Sequence, residues 1–299
     1  MLAAMTEQNE SRKQRAARRA GEFPPAPEAL PRPVLDSHTH LDITVSEAGV
    51  PGGGTADDPV AAAVEVAAAV GVDRLVQVGV DVASSRWGAD VADRYPAVLA
   101  TVALHPNEAP RLADLDEALR EIEALAGRDR VRGVGETGMD FFRTGDEGRA
   151  AQEESFRAHI AIAKRHGKAL VIHDRDAHAD VLRVLDDEGA PETVVLHCFS
   201  GDADFARECV RRGYLLSFAG TVTFGSAAAL REAAALTPID QLLVETDAPY
   251  LTPMPHRGRP NASYLIPLTV RALAATTGAD LDELCAAISA TGDRAFGPW

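Results

Sequence analysis

Cysteine is scarce in this chain. Its three thiols, Cys198, Cys209 and Cys285, are scattered and odd in number, which excludes a disulfide framework and a CxxC zinc site and favours a reducing cytoplasm. No apolar run reaches the roughly 18 residues of a membrane span, and no apolar segment follows the N-terminal arginines as in a secretory signal. Positive charge is in deficit. Thirty lysines and arginines face 45 aspartates and glutamates, a net charge of −15. Such a surface repels long polyanions and anionic membranes, so an acidic substrate must be held locally, by metals or a few arginines.

What is present describes a soluble globular chain: 299 residues, 46% hydrophobic, enough for one large domain or two small ones. Residues 1–33 differ from the rest. "SRKQRAARRAGEFPPAPEALPRP" runs from a basic cluster into a proline-rich stretch without apolar periodicity, and reads as a flexible tail. Its basic cluster has nucleic-acid contact as one reading and a solvated tail as the plainer one.

From Val34 to Trp299 the chain alternates. Short β-branched runs fall at Val34–Asp36, Arg74–Val78, Val98–Ala103, Val131–Val134, Ala169–Ile172, Thr193–Leu196, Tyr214–Ser217 and Gln241–Val244. Between them lie helical patterns such as "DPVAAAVEVAAAVGV" and "EESFRAHIAIAKRHGK", with start signals such as Asp58-Pro59 and stop signals at Gly71, Gly189 and Gly213. This α/β rhythm predicts a single TIM-like (β/α)8 barrel behind the tail, with a doubly wound open sheet as the alternative.

Polar residues follow these runs. In "VLDSHTHLD" strand alternation turns His38 and His40 the same way. His105 follows the third run, Glu136 the fourth, His173 the fifth, His197 the sixth and Asp247 the eighth. In a barrel these positions ring the mouth that carries active sites. Singly, each histidine reads as an ordinary hydrogen-bonded residue; together they read as metal ligands. His38, His40 and Asp247 give a partial shell to one divalent ion, His173 and His197 give two imidazoles to a second, and Glu136 can bridge them. Mixed nitrogen and oxygen donors suit zinc, manganese, cobalt or iron better than calcium, with magnesium tolerated.

"DSHTHLD", "ALHPNEA", "GETGMDFF", "VIHDRDAH", "LHCFSG", "ETDAPYLTP" and "HRGRPN", in that order, resemble the TatD family of metal-dependent hydrolases in the amidohydrolase superfamily, over essentially Val34 to Trp299. The resemblance implies a two-metal barrel with deoxyribonuclease activity, mostly 3′–5′ exonuclease action on DNA and sometimes RNA. It implies the ligand set reasoned above, with Asp247 also accepting a proton from the attacking water and Glu136 sharing the catalytic centre. The family's Gly-x-His-Pro block reads Ala103-Leu104-His105-Pro106 here, and makes His105 a candidate for gripping a substrate phosphate, against a plain His-Pro turn.

Arg175 falls on the same strand face as His173, where it would clasp a phosphate or brace Glu136. Arg257 and Arg259 lie in a glycine-punctuated loop suited to a nucleic-acid backbone, although Pro260 stands where the family commonly has a basic residue. Cys198 reads as packing in the barrel wall, and Ser200 with Gly201 as the cap of the next helix. A Ser-His-Asp triad is unnecessary, and no GxSxG elbow is present. Phe141, Phe142, Phe199 and Tyr250 are the aromatics of the mouth motifs, enough for a few nucleotides and too few for a long groove.

Phosphodiester hydrolysis at DNA ends or short nucleic acid is therefore the expected function, with two divalent ions (zinc, manganese or magnesium) as cofactors. Removal of a D-amino acid from transfer RNA on the same metal site is the alternative. A binding protein that has lost turnover is disfavoured by the intact ligand set. A monomer is expected, since no long apolar strip is left after the barrel helices are packed. The glycine-rich insertion "EAGVPGGGTADD" reads either as a loop beside the first ion or as a spacer.

Overall fold

Eight parallel strands stand in chain order in one sheet of the protein, seen in a computed structural model that describes residues 21–49 and 56–299. They are β1 (Val34–Thr39), β2 (Val72–Val78), β3 (Val98–Val102), β4 (Val131–Asp140), β5 (Ala169–Arg175), β6 (Val194–Leu196), β7 (Leu215–Phe218) and β8 (Leu242–Val244). The longer α-helices between and after them are α1 (Pro59–Ala68), α2 (Val82–Arg94), α3 (Leu115–Ala126), α4 (Asp146–His166), α5 (His178–Glu188), α6 (Ala203–Arg211), α7 (Ala228–Leu236), α8 (Ile266–Thr277) and α9 (Leu281–Phe296). Among the described residues no helix is long and apolar enough to cross a membrane.

The sheet curls until β8 meets β1. There the Asp247 amide donates to the His38 carbonyl at 2.9 Å and the His40 amide donates to the Ala248 carbonyl at 2.9 Å. Deeper in the seam the buried Asp36 carboxylate accepts from the Thr246 amide at 2.9 Å and from the Thr246 hydroxyl at 2.6 Å. This closure gives the (β/α)8 barrel and rules out the open sheet. Strands covered on both faces read as continuous apolar runs, and Val34, Leu75, Leu99 and Leu170 are fully buried.

Aspartates start the helices. Asp58, Asp81, Asp114, Asp202 and Asp280 each accept a hydrogen bond from an amide of the first turn, satisfying donors that a helix cannot pair internally. Pro59 occupies the first turn after Asp58 as its spacing predicts, and Gly71 follows the helix at φ 85°.

Two expectations need correction. β4 and β5 run past the predicted ends at Val134 and Ile172, to Asp140 and Arg175. The apolar runs stop where the barrel interior turns polar, while the backbone ladder continues. The proline-rich end of the tail is also no loose segment. Leu30 is buried and its amide donates to the Val70 carbonyl at 3.0 Å, while Tyr264 Oη donates to the Pro24 carbonyl at 2.5 Å. Arg259 donates to the carbonyls of Glu22 and Phe23 at 2.7 and 2.6 Å. A proline-rich segment has few amide donors to offer a sheet, so it is held largely by carbonyls that accept from Arg259 and Tyr264, and residues 21–33 lie strapped along the barrel. The basic cluster, at 11–19, and residues 50–55 of the glycine-rich insertion fall outside the described residues.

Candidate metal centre

The barrel places the predicted side chains at one mouth. His38 sits in β1 with His40 just beyond it, Glu136 in β4 and His173 in β5; His105, His197 and Asp247 follow β3, β6 and β8. A cavity of about 910 Å³ opens over them, lined by His40, His105, Glu136, His173, His197 and Asp247 among others.

Glu136 is the hub of this arrangement. Its Oε1 lies 3.8 Å from His38 Nε2 and 3.6 Å from His40 Nε2. Its Oε2 lies 2.7 Å from His197 Nε2, 3.2 Å from His173 Nδ1 and 3.7 Å from His105 Nε2. Asp247 completes the first side, with Oδ1 3.8 Å from His38 Nε2 and 3.4 Å from His40 Nε2. The rings of His38 and His197 stack at 3.9 Å between centroids. Burial opposes charge on Glu136, but the imidazoles of His197 and His105, with hydrogen bonds from His173 and His197, hold its carboxyl well below the usual range. Burial, reinforced by His197, pushes His38 far below the ordinary imidazole value, so its ring is neutral and has a free lone pair.

These donors fit a divalent metal. Both ring nitrogens of His38 and Nδ1 of His40 are buried without a hydrogen-bond partner among the described residues. Orphaned polar atoms are costly in an interior unless something coordinates them. Two ligand atoms about 2.1 Å from a shared tetrahedral ion stand about 3.4 Å apart, and the 3.4–3.8 Å separations of His38, His40 and Asp247 approach that spacing. His38–His40–Asp247, His105–Glu136–His173 and His38–His197–Glu245 each bring ligand atoms within 4.8 Å of one another.

Two carboxylates behind the histidines escaped the sequence reading. Asp140 Oδ2 lies 3.3 Å from His173 Nε2, and Glu245 Oε1 lies 3.3 Å from His197 Nδ1. Each takes the nitrogen turned away from Glu136 and so orients the ring, as outer carboxylates do for metal-binding histidines. The signal was available: both stand an even number of residues from a proposed ligand, in "GETGMD" and "ETD", on the same strand face.

The remaining candidates divide. His105 Nδ1 accepts the Asn107 amide at 3.0 Å, so the neutral ring carries its proton on Nε2, aimed into the cavity. Burial keeps that ring neutral by lowering its pKa to about 4. Arg175 lines the cavity with its guanidinium 3.9 Å from the Phe142 ring centroid, and among the described residues it makes no contact with Glu136, so it does not act as a brace. Arg257 faces a neighbouring cavity instead. Cys198 lines the metal-side cavity and does not pack into the wall, and burial raises its thiol well above the usual value, which keeps it a poor nucleophile. Ser200 is exposed and donates to the Asp174 carbonyl; Asp202 caps α6 in its place. Phe199 is core, whereas Phe142 is 63% and Tyr250 51% exposed at the mouth.

The family profile of TatD related DNase matches residues 35–297. A metal-dependent hydrolase TatD of Mycobacterium tuberculosis is 48% identical over 268 residues, covering 88% of this chain and 98% of that protein. The 3′-5′ ssDNA/RNA exonuclease TatD of Citrobacter rodentium is 36% identical over 238 residues, 77% of this chain and 88% of the relative. Among solved structures, the TatD homologue YJJV of Escherichia coli K12 superposes with a TM-score of 0.80 at 25% identity, over 89% of this chain and 98% of its own.

Proposed function

The chain belongs to the TatD related DNase family and is a metal-dependent hydrolase, and from that premise we propose that it cleaves phosphodiester bonds at the 3′ ends of single-stranded DNA, using two divalent ions. The observation that carries this reading is the division of Glu136, with Oε1 toward His38 and His40 and Oε2 toward His173 and His197. A carboxylate shared in this way, between two sets of imidazoles, suits a bridging ligand of a two-metal hydrolytic site. His38, His40 and Asp247 would hold one ion, and His173 and His197 the other. Bound there, divalent ions supply Lewis-acid polarisation of the phosphate and an acidified water.

The chain's own residues supply the rest. Asp247 lies on the open side of the centre, its side chain 17% exposed, and takes the proton of the attacking water. His105 presents its Nε2 proton to a non-bridging phosphate oxygen. Arg175, fixed against Phe142 at the rim, meets the charge of an incoming strand end. A cavity of about 910 Å³ has the volume of a small-ligand site, which favours frayed or single-stranded ends over duplex. The net charge of −15 acts in the same direction by repelling long polyanions.

The test is digestion of a 5′-labelled single-stranded oligonucleotide by protein reconstituted with magnesium, manganese or zinc, beside Asp247→Asn at matched metal content. A ladder shortening from the 3′ end with the wild type alone is expected. Intact oligonucleotide with every metal, together with release of free amino acid from D-aminoacyl-tRNA, would overturn the reading in favour of ester hydrolysis.

A further inference from the structure

A second cavity, of about 650 Å³, opens beside the metal centre, and Tyr250 and Leu251 line both. This shared wall is firmly built. The Tyr250 amide donates to the Asp247 carbonyl at 2.9 Å, and Asn261 Nδ2 donates to the carbonyls of Tyr250 and Thr246 at 2.6 and 2.9 Å. Leu251 is held at φ 56°, a left-handed conformation that a leucine adopts only when its surroundings impose it. The wall is thus tied on one side to a residue of the metal centre and on the other to the loop that carries Arg257.

The two arginines of that loop have different fates. Arg259 is committed to the carbonyls of Glu22 and Phe23, which anchors the loop to the strapped segment 21–33. Arg257 lies over the Phe224 ring, 4.4 Å from its centroid, and faces the second cavity. Among the described residues it has no carboxylate partner. On a strongly acidic protein, an arginine held on an aromatic face without an acid beside it is a prepared anion contact. Tyr250, half exposed on the shared wall, adds an aromatic surface to the same space.

We propose that this second cavity is a nucleotide subsite: the nucleoside adjoining the scissile phosphate packs against Tyr250, and the next phosphate along the strand rests on Arg257. The inference builds on the phosphodiesterase reading above. A guanidinium and an aromatic surface together match the two parts of a nucleotide, whereas a lone anion would use only the first.

The test compares binding of thymidine 5′-monophosphate with binding of a phosphorothioate-linked thymidine trinucleotide to the metal-loaded full chain, by calorimetric titration. The wild type is expected to bind the trinucleotide at least about tenfold more tightly, and Arg257→Ala to reduce that margin by about tenfold, as loss of a charge-assisted contact does. Arg257→Lys is expected to restore part of it. A margin absent from the wild type, or unchanged in Arg257→Ala, overturns the subsite. If the margin depends on Arg257 but the phosphodiester trinucleotide is not hydrolysed, the subsite stands and the nuclease reading falls. Hydrolysis without the margin means the reverse.

Discussion

Asp140 fixes which nitrogen His173 presents to the metal centre. Its Oδ2 lies 3.3 Å from His173 Nε2, leaving Nδ1 3.2 Å from Glu136 Oε2. The carboxylate is itself held, accepting from Asn107 Nδ2 at 2.9 Å and from the amides of Phe142 and Arg143 at 3.0 and 2.8 Å. A chain of contacts thus runs from the turn after β4 to a proposed ligand.

Asp140→Asn is therefore expected to weaken binding of one metal equivalent by about 10–100-fold, the usual cost of losing an outer carboxylate. Titration calorimetry of the metal-stripped protein reads this directly. A variant that unfolds at a lower temperature but binds metal as the wild type does would show that Asp140 only supports the turn.

Metal removal is expected to lower stability as well as activity. Glu136, Asp247 and the histidines around them are gathered in one cluster in which both ring nitrogens of His38 and Nδ1 of His40 are buried with no hydrogen-bond partner among the described residues. A ligand bound only by the native state stabilises it by about 2.7 kcal/mol at a hundred times its dissociation constant. Thermal denaturation with chelator and with added manganese should separate the two states, and coincident melting curves would count against the centre.

His159, in α4, predicts a pH dependence away from the metal centre. Its Nε2 accepts the Leu104 amide at 3.0 Å, and its Nδ1 lies 2.6 Å from the Ser155 carbonyl, to which it donates. Burial lowers its pKa from 6.5 to about 4. As pH falls from about 6.5 toward 4, the unfolded chain takes up a proton that the native ring refuses, so native stability declines across that window, by up to about 1.4 kcal/mol per pH unit from this group. Above that window its contribution is fully present. His159→Gln should flatten the slope measured by denaturant unfolding at pH 7, 6 and 5, and an unchanged slope would refute the assignment.

Gly138 lies between proposed ligand Glu136 and Asp140 on β4. It has φ 134°, and a Cβ there would stand 2.1 Å from the His173 carbonyl oxygen. Gly138→Ala must push β5 away or abandon the local ladder, and is expected to cost about 3 kcal/mol. Urea unfolding measures the loss, with reduced metal affinity expected alongside it because His173 moves with its carbonyl.

Much of this was legible in the linear sequence where signals are local. The apolar runs located the strands, Asp58-Pro59 located a helix start, and the spacing of His38 and His40 marked one face of β1. The end of β4 is not legible because the polar run after Val134 resembles a loop, although Glu136, Thr137 and Asp140 are buried and lie in the strand. Residues 21–33 resemble a tail in the sequence because their partners are distant: Arg259 reaches Glu22 across 237 positions and Tyr264 reaches Pro24 across 240. No window along the chain contains both members of such a pair.

The sequence by itself determined the alternation of strand and helix, the residue types at each strand end and the ordered motifs of the family, since all of these are written in local periodicity and residue identity. The tertiary structure alone decided that Glu136 turns one oxygen to each histidine set, that Asp140 and Glu245 orient His173 and His197, and that Arg257 faces a different cavity from Arg175. The physical reason is closure. Until β8 meets β1, each of these side chains has a position on its own strand but no fixed neighbour, and coordination and hydrogen bonding act only over a few ångströms.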